Sequence, residues 1–273
     1  MDKKEIMCMA SGDANKGVIT KEECLQCALD NGNNTPCGFD YTLLKYIYAK
    51  DRYMAEKVHV SDILGCPRQA YFSKKFSLPI EAHKQLIVTF GTLQHQMLEE
   101  MEDKYYSAEK ILANSGIVGT TDVYYEDGRI VDYKTTRNLD RRYLPNKKHK
   151  MQVNIYAHLL RQEGYEVTSA AIQYIDFMGP SKCPKHKAFV VPGNRYPRCP
   201  ICDLEQPDFH LGAMLLEIEL LPESDVEELI KEKSVYLQNA LDNEIIPEPT
   251  PDFLCRYCPY VSWCQEGRDS IYV

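Results

Sequence analysis

An aspartate and a lysine, Asp132 and Lys134, lie two residues apart in a stretch rich in β-branched and aromatic residues. Residues i and i+2 of a β-strand share one face, so the carboxylate and the ammonium are expected to point the same way. A carboxylate holds a hard divalent cation, and a lysine beside it contacts a water or an anionic phosphate. The pair therefore indicates metal-assisted hydrolysis of a phosphodiester.

A second carboxylate, Asp122, is predicted to come from the preceding strand. The turn signal Glu126-Asp127-Gly128 separates two β-rich runs, which indicates a hairpin. A two-residue turn would put Asp122 and Asp132 on opposite faces. A three-residue loop with a left-handed Gly128 pairs position 122 with position 132, and both aspartates then share a face with Lys134. We predict this bulged loop.

The elements that position these residues follow from hydrophobic period and turn signals. Helices alternate with a hairpin and later strands, so the sequence predicts an α/β fold with a mixed central sheet flanked by helices. Ser61 is the expected N-cap of the second helix. The predicted helices are 41–53, 62–75, 86–101, 151–162 and 225–241, and the predicted strands are 117–125, 129–135, 170–177 and 215–221.

Three further residues on these helices can complete the site. His95 lies on the helix 86–101, and Gln152 and Tyr156 lie four apart on one face of the helix 151–162, within reach of a phosphate or of Lys134. Each feature alone is ordinary, because Asp-x-Lys pairs are common on solvent faces and single helical histidines are usually structural. Their order along the chain carries the signal: Gly91-x-x-x-His95, Gly119-x-x-Asp122, Asp132-Tyr133-Lys134-Thr135 and Gln152-x-x-x-Tyr156.

This order resembles that of RecB-like PD-(D/E)XK nucleases, and most of all the CRISPR-associated exonuclease family, the fourth Cas protein. The segment Ser61–Tyr71, SDILGCPRQAY, is similar to the one that begins the core of that family. The resemblance covers about residues 58–267, interrupted by an insertion at 179–207. The family often has Glu where this chain has Asp132, and it generally lacks a Cys-rich N-terminus and the central insertion.

The resemblance implies a PD-(D/E)XK (restriction-endonuclease-like) core and a 5′-to-3′ DNA exonuclease that trims DNA for CRISPR spacer acquisition. It implies that a magnesium or manganese ion is bound by His95, Asp122, Asp132 and the carbonyl of Tyr133. Lys134 is then catalytic, and Gln152 and Tyr156 position the DNA backbone.

The eleven cysteines fall into three groups, and clustered cysteines without a secretory signal indicate metal ligation before disulfides. One group joins Cys66 to Cys255, Cys258 and Cys264. Four thiolates match an iron–sulfur cluster, although by spacing alone zinc is equally good. The resemblance favours a 4Fe–4S cluster that staples the two ends of the core.

The other two groups are predicted to bind zinc in small modules that hold too few apolar residues to fold alone. Cys183-x-x-His186 and Cys199-x-x-Cys202 form two knuckles twelve residues apart, which is typical of a zinc ribbon. The N-terminal group has a looser pattern. Its members are Cys8, Cys24, Cys27 and Cys37. The sequence leaves open whether these modules dock to DNA or to a partner protein.

The remaining expectations concern domain organisation, location and surface charge. We expect a Cys-rich N-terminal module at 1–57, a nuclease core at 58–273 and the ribbon at 179–207 within that core. No apolar run is long enough to span a bilayer, so a soluble cytoplasmic protein is expected. The net charge is −8, but residues 134–150 contain seven Lys or Arg and one acid, a suitable surface for a phosphate backbone. Residues 217–244 are acidic and are expected to face solvent.

The expected partners are DNA ends and proteins of CRISPR adaptation or recombination. A phage or cellular recombination or replication nuclease of the same fold remains an alternative, which neighbouring genes would decide. A non-catalytic zinc and iron–sulfur DNA-binding adaptor, or a zinc-ribbon regulator, is an alternative of another class. Both leave the combination of Asp132, Lys134, Gln152 and Tyr156 unexplained.

Overall fold

The computed structural model describes residues 5–8, 17–31, 35–49, 57–76, 78, 80–100, 104–136, 139–140 and 143–264. Within these ranges helices and strands alternate, which confirms the predicted α/β class with a mixed central sheet. The helices are α1 (Lys21–Asn31), α2 (Tyr41–Ala49), α3 (Val60–Ile63), α4 (Pro67–Lys75), α5 (Ala82–Glu100), α6 (Lys147–Gln162) and α7 (Glu223–Asp242). The strands are β1 (Glu5–Met7), β2 (Val18–Thr20), β3 (Val58–His59), β4 (Ile80–Glu81), β5 (Tyr106–Asn114), β6 (Ile117–Tyr125), β7 (Arg129–Thr136), β8 (Ser169–Pro180) and β9 (Leu211–Ile218).

The chain divides into two compact units. One contains Met1–Glu56, Arg68–Gln94 and Pro247–Val273, and the other contains Lys57–Pro67 and His95–Ile246. In the part of the chain that is described, no helix is both long enough and apolar enough to cross a bilayer.

The larger unit is built on a six-stranded sheet. Strand β5 pairs with β6 along its whole length, so β3 and β7 share the other edge of β6, at its beginning and its end. Strand β8 then runs parallel to β7, and β9 runs antiparallel to β8. The sheet is therefore mixed, and residues 181–210 form the long connection between its last two strands. This connection contains most of the insertion predicted at 179–207, and we call it the ribbon.

The loop between β6 and β7 has the predicted three residues. Val123 pairs with Val131 and Tyr124 with Ile130, and Gly128 adopts a φ of 84°. This register sets position 122 against position 132, so the predicted bulged loop is confirmed. A positive φ is a conformation that glycine adopts at low cost, which explains why glycine ends the loop.

Helix α6 is the central helix of the larger unit. Its N-cap is Asn146, whose side chain accepts a hydrogen bond from Lys148 N at 2.8 Å. Most of its residues from Val153 to Leu160 are fully buried. It begins four residues earlier than the predicted helix, and Gly164 follows its end with a φ of 87°.

The smaller unit has its own sheet and core. Strand β1 pairs antiparallel with β2 and parallel with β4, so the N-terminal residues share a sheet with residues 80–81. Helices α1 and α2 contribute Cys24, Leu44 and Tyr48 to the buried cluster beside Ile6. In the same unit, the aromatic rings of Phe72, Phe76, Tyr260 and Trp263 pack against one another.

Several predicted elements differ from those found. The helix expected at 62–75 is two helices, α3 and α4, separated at residues 64–66. The N-cap of α3 is His59 and not Ser61, and Asp62 Oδ2 accepts the His59 N–H at 2.8 Å. Strand β5 was not predicted. Strand β6 has the predicted bounds, and the other predicted helices and strands are present with shifted ends. Residues 50–53 of the first predicted helix and residue 101 of the helix predicted at 86–101 lie outside the described chain.

Candidate active site

Asp132 and Lys134 form an ion pair at the middle of strand β7. The Lys134 Nζ lies 2.7 Å from Oδ2 and 2.9 Å from Oδ1 of Asp132. Asp132 is only 2% exposed, and a carboxylate so far removed from water needs a compensating charge. Lys134 supplies that charge, and the prediction that the two side chains share a face is confirmed.

Asp122 reaches the same segment from strand β6. It is 5% exposed, and its Oδ2 accepts a hydrogen bond from the backbone N–H of Tyr133 at 2.6 Å. Tyr133 is the residue between Asp132 and Lys134. The hydrogen bond therefore fixes the Asp122 carboxylate beside the other two predicted residues, as the hairpin register requires.

The two aspartates form a donor set that suits a hard divalent cation. Both offer carboxylate oxygens, both are buried, and they come from neighbouring strands that are paired in fixed register. Magnesium and manganese prefer such oxygen ligands. The Tyr133 carbonyl belongs to the same segment of β7. The residues present therefore fit the cation that the sequence implied.

Gln152 and Tyr156 are joined to each other on α6. The Gln152 Nε2 donates to the Tyr156 hydroxyl at 2.8 Å. A Cβ built on Gly119 would lie 2.8 Å from the Tyr156 ring and 2.7 Å from a methyl of Val60. The glycine thus gives the tyrosine ring room against strand β6, and it explains why a glycine precedes Asp122 by three residues.

A histidine and a tyrosine that were not predicted lie beside Lys134. Tyr174 on β8 is the partner of Lys134 in the parallel register, and its hydroxyl lies 2.9 Å from His149 Nδ1. That hydroxyl also accepts the Asn146 N–H at 3.3 Å, so it joins the start of α6 to His149. Burial, together with the charges of Lys134 and Lys148, lowers the pKa of His149 to about 4.

His149 is therefore neutral at pH 7. No local sequence signal pointed to it, because its partner lies 25 residues away on another element. His149 lies in the first turn of α6, which begins after the N-cap Asn146, and the sequence analysis began this helix only at residue 151.

The first turn of α6 carries the basic part of the site. Lys147, Lys148 and Lys150 are exposed, and they surround the positive end of the helix dipole. The structure describes only part of the basic stretch 134–150, since residues 137–138 and 141–142 lie outside the described chain. The described part gives positive charge next to the two buried aspartates.

His95 lies on helix α5, as predicted, but its side chain is outside the described part of the structure. Its predicted role as a metal ligand stays a prediction.

The ribbon ligands are brought together. One ligand atom from each of Cys183, His186, Cys199 and Cys202 lies within 4.8 Å of all the others. The His186 Nδ1 is 3.7 Å from the Sγ atoms of both Cys183 and Cys199. Zinc–sulfur bonds of about 2.3 Å in a tetrahedron give ligand separations of roughly 3.7 Å, so the geometry fits a structural zinc ion.

The Cys199 thiol is prepared to act as a thiolate. Burial raises its pKa, but backbone N–H groups of Ile201 and Cys202 and contacts with Cys183 and His186 outweigh burial and lower the pKa to about 6. The Ile201 N–H donates to the sulfur at 3.4 Å. A thiolate is the form that binds metal.

The N-terminal cysteines lie in one module but form a looser group. Burial raises the pKa of Cys24, and the thiols of Cys37, Cys8 and Cys27 raise it further, so the four lie near one another. Cys24 contacts the Tyr48 hydroxyl at 3.4 Å. Among the residues that the structure describes, the ribbon ligands are the only group of three or more His, Cys, Asp or Glu side chains close enough to share one metal ion. N-terminal zinc therefore stays a prediction.

The C-terminal cysteines belong to the smaller unit, in which Arg68 contacts the last of them. The Arg68 Nε donates to the Pro247 carbonyl at 2.8 Å, and a terminal nitrogen lies 3.6 Å from Cys264 Sγ. Arg68 belongs to the Cys66-Pro67-Arg68 segment of the sequence, and in this way it anchors the chain that carries Cys255, Cys258 and Cys264. The cluster formed by these three and Cys66 stays a prediction.

A family model described as the PD-(D/E)XK nuclease superfamily matches residues 115–265, more than half of the chain. Among solved structures, the protein SSO0001 is 21% identical, with 82% of this chain and 94% of that chain covered and a TM-score of 0.47. A phage-related exonuclease from Haemophilus somnus 129PT is 14% identical, with 69% and 95% covered and a TM-score of 0.41. No curated protein matches the chain. The family match includes the residues from Asp122 to Tyr156, and it leaves His95 and Cys66 outside.

Proposed function

Because the chain belongs to the PD-(D/E)XK nuclease superfamily, we propose that it is a metal-dependent deoxyribonuclease that hydrolyses phosphodiester bonds at DNA ends and prefers single strands. The observation that carries the proposal is the buried Asp132 carboxylate held by Lys134 at 2.7 Å, with Asp122 fixed by the Tyr133 N–H beside it. An ion pair at this depth adds little net stability, because removing two charges from water offsets their attraction, and a role in chemistry is therefore favoured over a structural one.

Asp122 and Asp132 would hold a magnesium or manganese ion, with the Tyr133 carbonyl and His95 as further proposed ligands. When bound, the cation supplies positive charge to the scissile phosphate and to the attacking water. Asp132 then no longer needs Lys134 as its only counter-charge. The Lys134 ammonium is placed to contact the attacking water or the phosphate and to stabilise negative charge that develops on it.

Gln152 and Tyr156 position the DNA backbone from α6. Their mutual hydrogen bond and the close packing of Tyr156 against Gly119 restrict both side chains. The lysines at the start of α6 attract the phosphates, and His149 between them is neutral at pH 7 because its pKa is lowered to about 4. These residues bind and orient the strand, while Asp122, Asp132 and Lys134 carry the reaction.

The proposal is tested by incubating end-labelled single-stranded and duplex DNA with the purified protein and manganese. The wild type is expected to degrade the single strand faster. Asp132→Ala and Lys134→Ala are each expected to lose at least about a hundredfold in rate, because each removes a preorganised charge from the transition state. The content of metal bound by the cysteines and the circular dichroism spectrum should be those of the wild type.

Asp242→Ala and Lys231→Ala are matched controls, since both remove the same side-chain types from exposed positions on α7. They are expected to cleave like the wild type. Wild-type activity in Asp132→Ala or Lys134→Ala would remove that residue from the mechanism. A wild type that binds DNA without cutting it would favour the adaptor.

The finer features of the proposal rest on the resemblance in the Ser61–Tyr71 segment and the ordered motifs. They are 5′-to-3′ polarity, a 4Fe–4S cluster on Cys66, Cys255, Cys258 and Cys264, and a role in CRISPR spacer acquisition. Labels at either DNA end decide the polarity. An absorption band near 400 nm after anaerobic purification decides the cluster. Recombination or replication is the pathway to consider if neighbouring genes encode those functions.

A further inference from the structure

A cleft of about 380 Å³ lies where the inserted ribbon meets the sheet of the larger unit. Its walls come from residues 139–140, the ribbon turn 192–197, the end of the ribbon at 207–211, and Asp176 and Met214 of strands β8 and β9. We call it the ribbon cleft. Its volume lies within the range of sites that bind small ligands, about 300–1,000 Å³.

The ribbon cleft lies on the face of the sheet that carries the active site. Tyr174 is the register partner of Lys134, and Asp176 follows Tyr174 by two residues on β8, so the three side chains share one face. At about 3.3 Å per residue, Asp176 lies roughly 7 Å further along the strand than Lys134. A DNA strand that places a phosphate at Lys134 therefore reaches this cleft within a few nucleotides.

A histidine held by a buried carboxylate forms one wall. The His210 Nδ1 lies 2.7 Å from Asp176 Oδ2, and the Asp176 side chain is completely buried. The carboxylate fixes the orientation of the imidazole, which leaves Nε2 to hydrogen-bond a ligand in the cleft. The proposed hydrolysis at Asp132 and Lys134 does not use this pair.

An aromatic ring and an arginine of the ribbon turn also line the cleft. The Arg195 guanidinium lies 5.2 Å from the centre of the Tyr196 ring, and Arg195 is exposed. The turn is restrained by a hydrogen bond from Asn194 N to Glu205 Oε1 at 2.7 Å, and it is packed so closely that a side chain at Gly193 would collide with the Tyr196 carbonyl. A turn that is restrained before binding loses less conformational entropy when a ligand binds.

The charge of the ribbon differs from that of the chain. Between residues 181 and 210 there are five Lys or Arg and three Asp or Glu, whereas the whole chain has a net charge of −8. Apolar side chains of Leu139, Phe209 and Met214 also line the cleft and are buried. Apolar side chains, a tyrosine and an exposed cation are groups that bind an unpaired base and its phosphate.

We propose that the ribbon cleft binds one unpaired nucleotide of the DNA strand whose phosphodiester is placed at Asp132 and Lys134. This inference rests on the proposed function and assigns its preference for single strands to a site. The base stacks on Tyr196, Arg195 contacts a phosphate, and His210 Nε2 hydrogen-bonds the nucleotide. The cleft is too small for a base pair with its two backbones, so a duplex has to be opened before its strand can enter.

The test measures the affinity of a fluorescein-labelled oligothymidylate by anisotropy, in the Asp132→Ala background with zinc retained. Adding Tyr196→Ala or Arg195→Ala is expected to weaken single-strand binding about tenfold, the scale of one base–aromatic stack. Phe189→Ala and Lys185→Ala are the matched controls, because both are exposed on the ribbon outside the cleft. They are expected to change the affinity less than about twofold, and duplex binding should not respond to any of the four.

A single abasic site moved along the oligonucleotide identifies the bound nucleotide. One position is expected to weaken binding about tenfold in the parent and to have no further effect once Tyr196 is replaced, since coupled losses are not additive. Equal affinity of the parent, Tyr196→Ala and Arg195→Ala would overturn the inference. If Tyr196→Ala loses its zinc, the affinity of the Arg195→Ala variant alone tests the inference, because Arg195 is exposed.

Failure of the two proposals is distinguishable. If the wild type cuts DNA but the cleft variants bind single strands like their parent, the proposed nuclease function stands and the proposed nucleotide site is rejected. If the wild type cuts no DNA but the cleft variants lose affinity for single strands, the nuclease function is rejected and the cleft stands as a nucleotide-binding site.

Discussion

The ring of Tyr156 occupies the space that a side chain at Gly119 would fill. The Cβ of an alanine there would lie 2.8 Å from the ring and 2.7 Å from the Val60 methyl. Tyr156 is also the partner of Gln152. The small residue on the strand and the two polar residues on the helix thus form one arrangement, although they are more than thirty positions apart in the sequence.

Gly119→Ala is expected to lower the free energy of unfolding by about 1–3 kcal/mol, because the added methyl overpacks a rigid contact. Displacement of Tyr156 should lower the rate of DNA cleavage as well. Urea unfolding and the cleavage assay measure the two effects. The matched control is Gly91→Ala, where a Cβ meets nothing within 4 Å in the middle of α5. That variant is expected to be as stable as the wild type or slightly more so. Equal stability of the two variants would contradict the packing argument.

The ribbon is expected to lose its metal when one ligand is removed. Cys199→Ser should reduce the zinc content by one equivalent and lower the thermal midpoint, because the module has little core of its own. Elemental analysis measures the loss and separates zinc from iron. Asp132→Ala serves as the control and should retain the metal. An unchanged zinc content in Cys199→Ser would show that the four converged side chains do not bind it.

The lowered pKa of His149 makes the stability of the folded protein depend on pH. Its pKa is lowered to about 4, whereas an unfolded histidine titrates near 6.5. Between these values the unfolded chain takes up a proton that the folded chain does not, so stability falls as the pH falls through this window. Above pH 6.5 the residue has no such effect.

His149→Gln should therefore reduce the loss of stability between pH 7 and pH 4.5 by roughly 1–2 kcal/mol, a figure discounted for partial exposure. The glutamine amide can still hydrogen-bond to the Tyr174 hydroxyl. Urea unfolding at the two pH values, without added magnesium or manganese, measures the difference. Parallel losses in the variant and the wild type would contradict the assignment of this acid sensitivity to His149.

Arg68 is expected to hold the C-terminal segment in the smaller unit. Arg68→Lys loses the geometry that contacts both the Pro247 carbonyl and Cys264, and it should cost roughly 1.5–3 kcal/mol of stability. Limited proteolysis should then release the segment beyond Pro247 faster. Glu248→Ala is the control, because its ion pair with Arg68 is 3.8 Å long and almost fully exposed on the glutamate side. Equal proteolysis of both variants would remove Arg68 from this role.

The parts of the site that follow from local rules were predictable. The loop Glu126-Asp127-Gly128 set the register, and the register brought Asp122 to Asp132 and Lys134. The ribbon ligands were recognisable from two knuckles at suitable spacing, and the four side chains do converge. In both cases a turn of known length determines which side chains meet.

The parts that depend on contacts distant in sequence were not predictable. Strand β5 contains Ala, Glu, Lys and Leu, which favour a helix, and it becomes a strand because β6 offers a full edge. The pairs His149–Tyr174 and Asp176–His210 join residues 25 and 34 positions apart. The sharing of a sheet by β1 and β4 also had no signal in the sequence.

The two ends of the ribbon meet where it leaves the sheet. Ser181 N donates to the His210 carbonyl at 2.8 Å, and His210 N donates to Ser181 Oγ at 2.9 Å. A segment whose ends are joined to each other can be exchanged without moving the strands on either side. About thirty residues can therefore be redesigned as a unit, while Asp132 and Lys134 keep their places on the sheet.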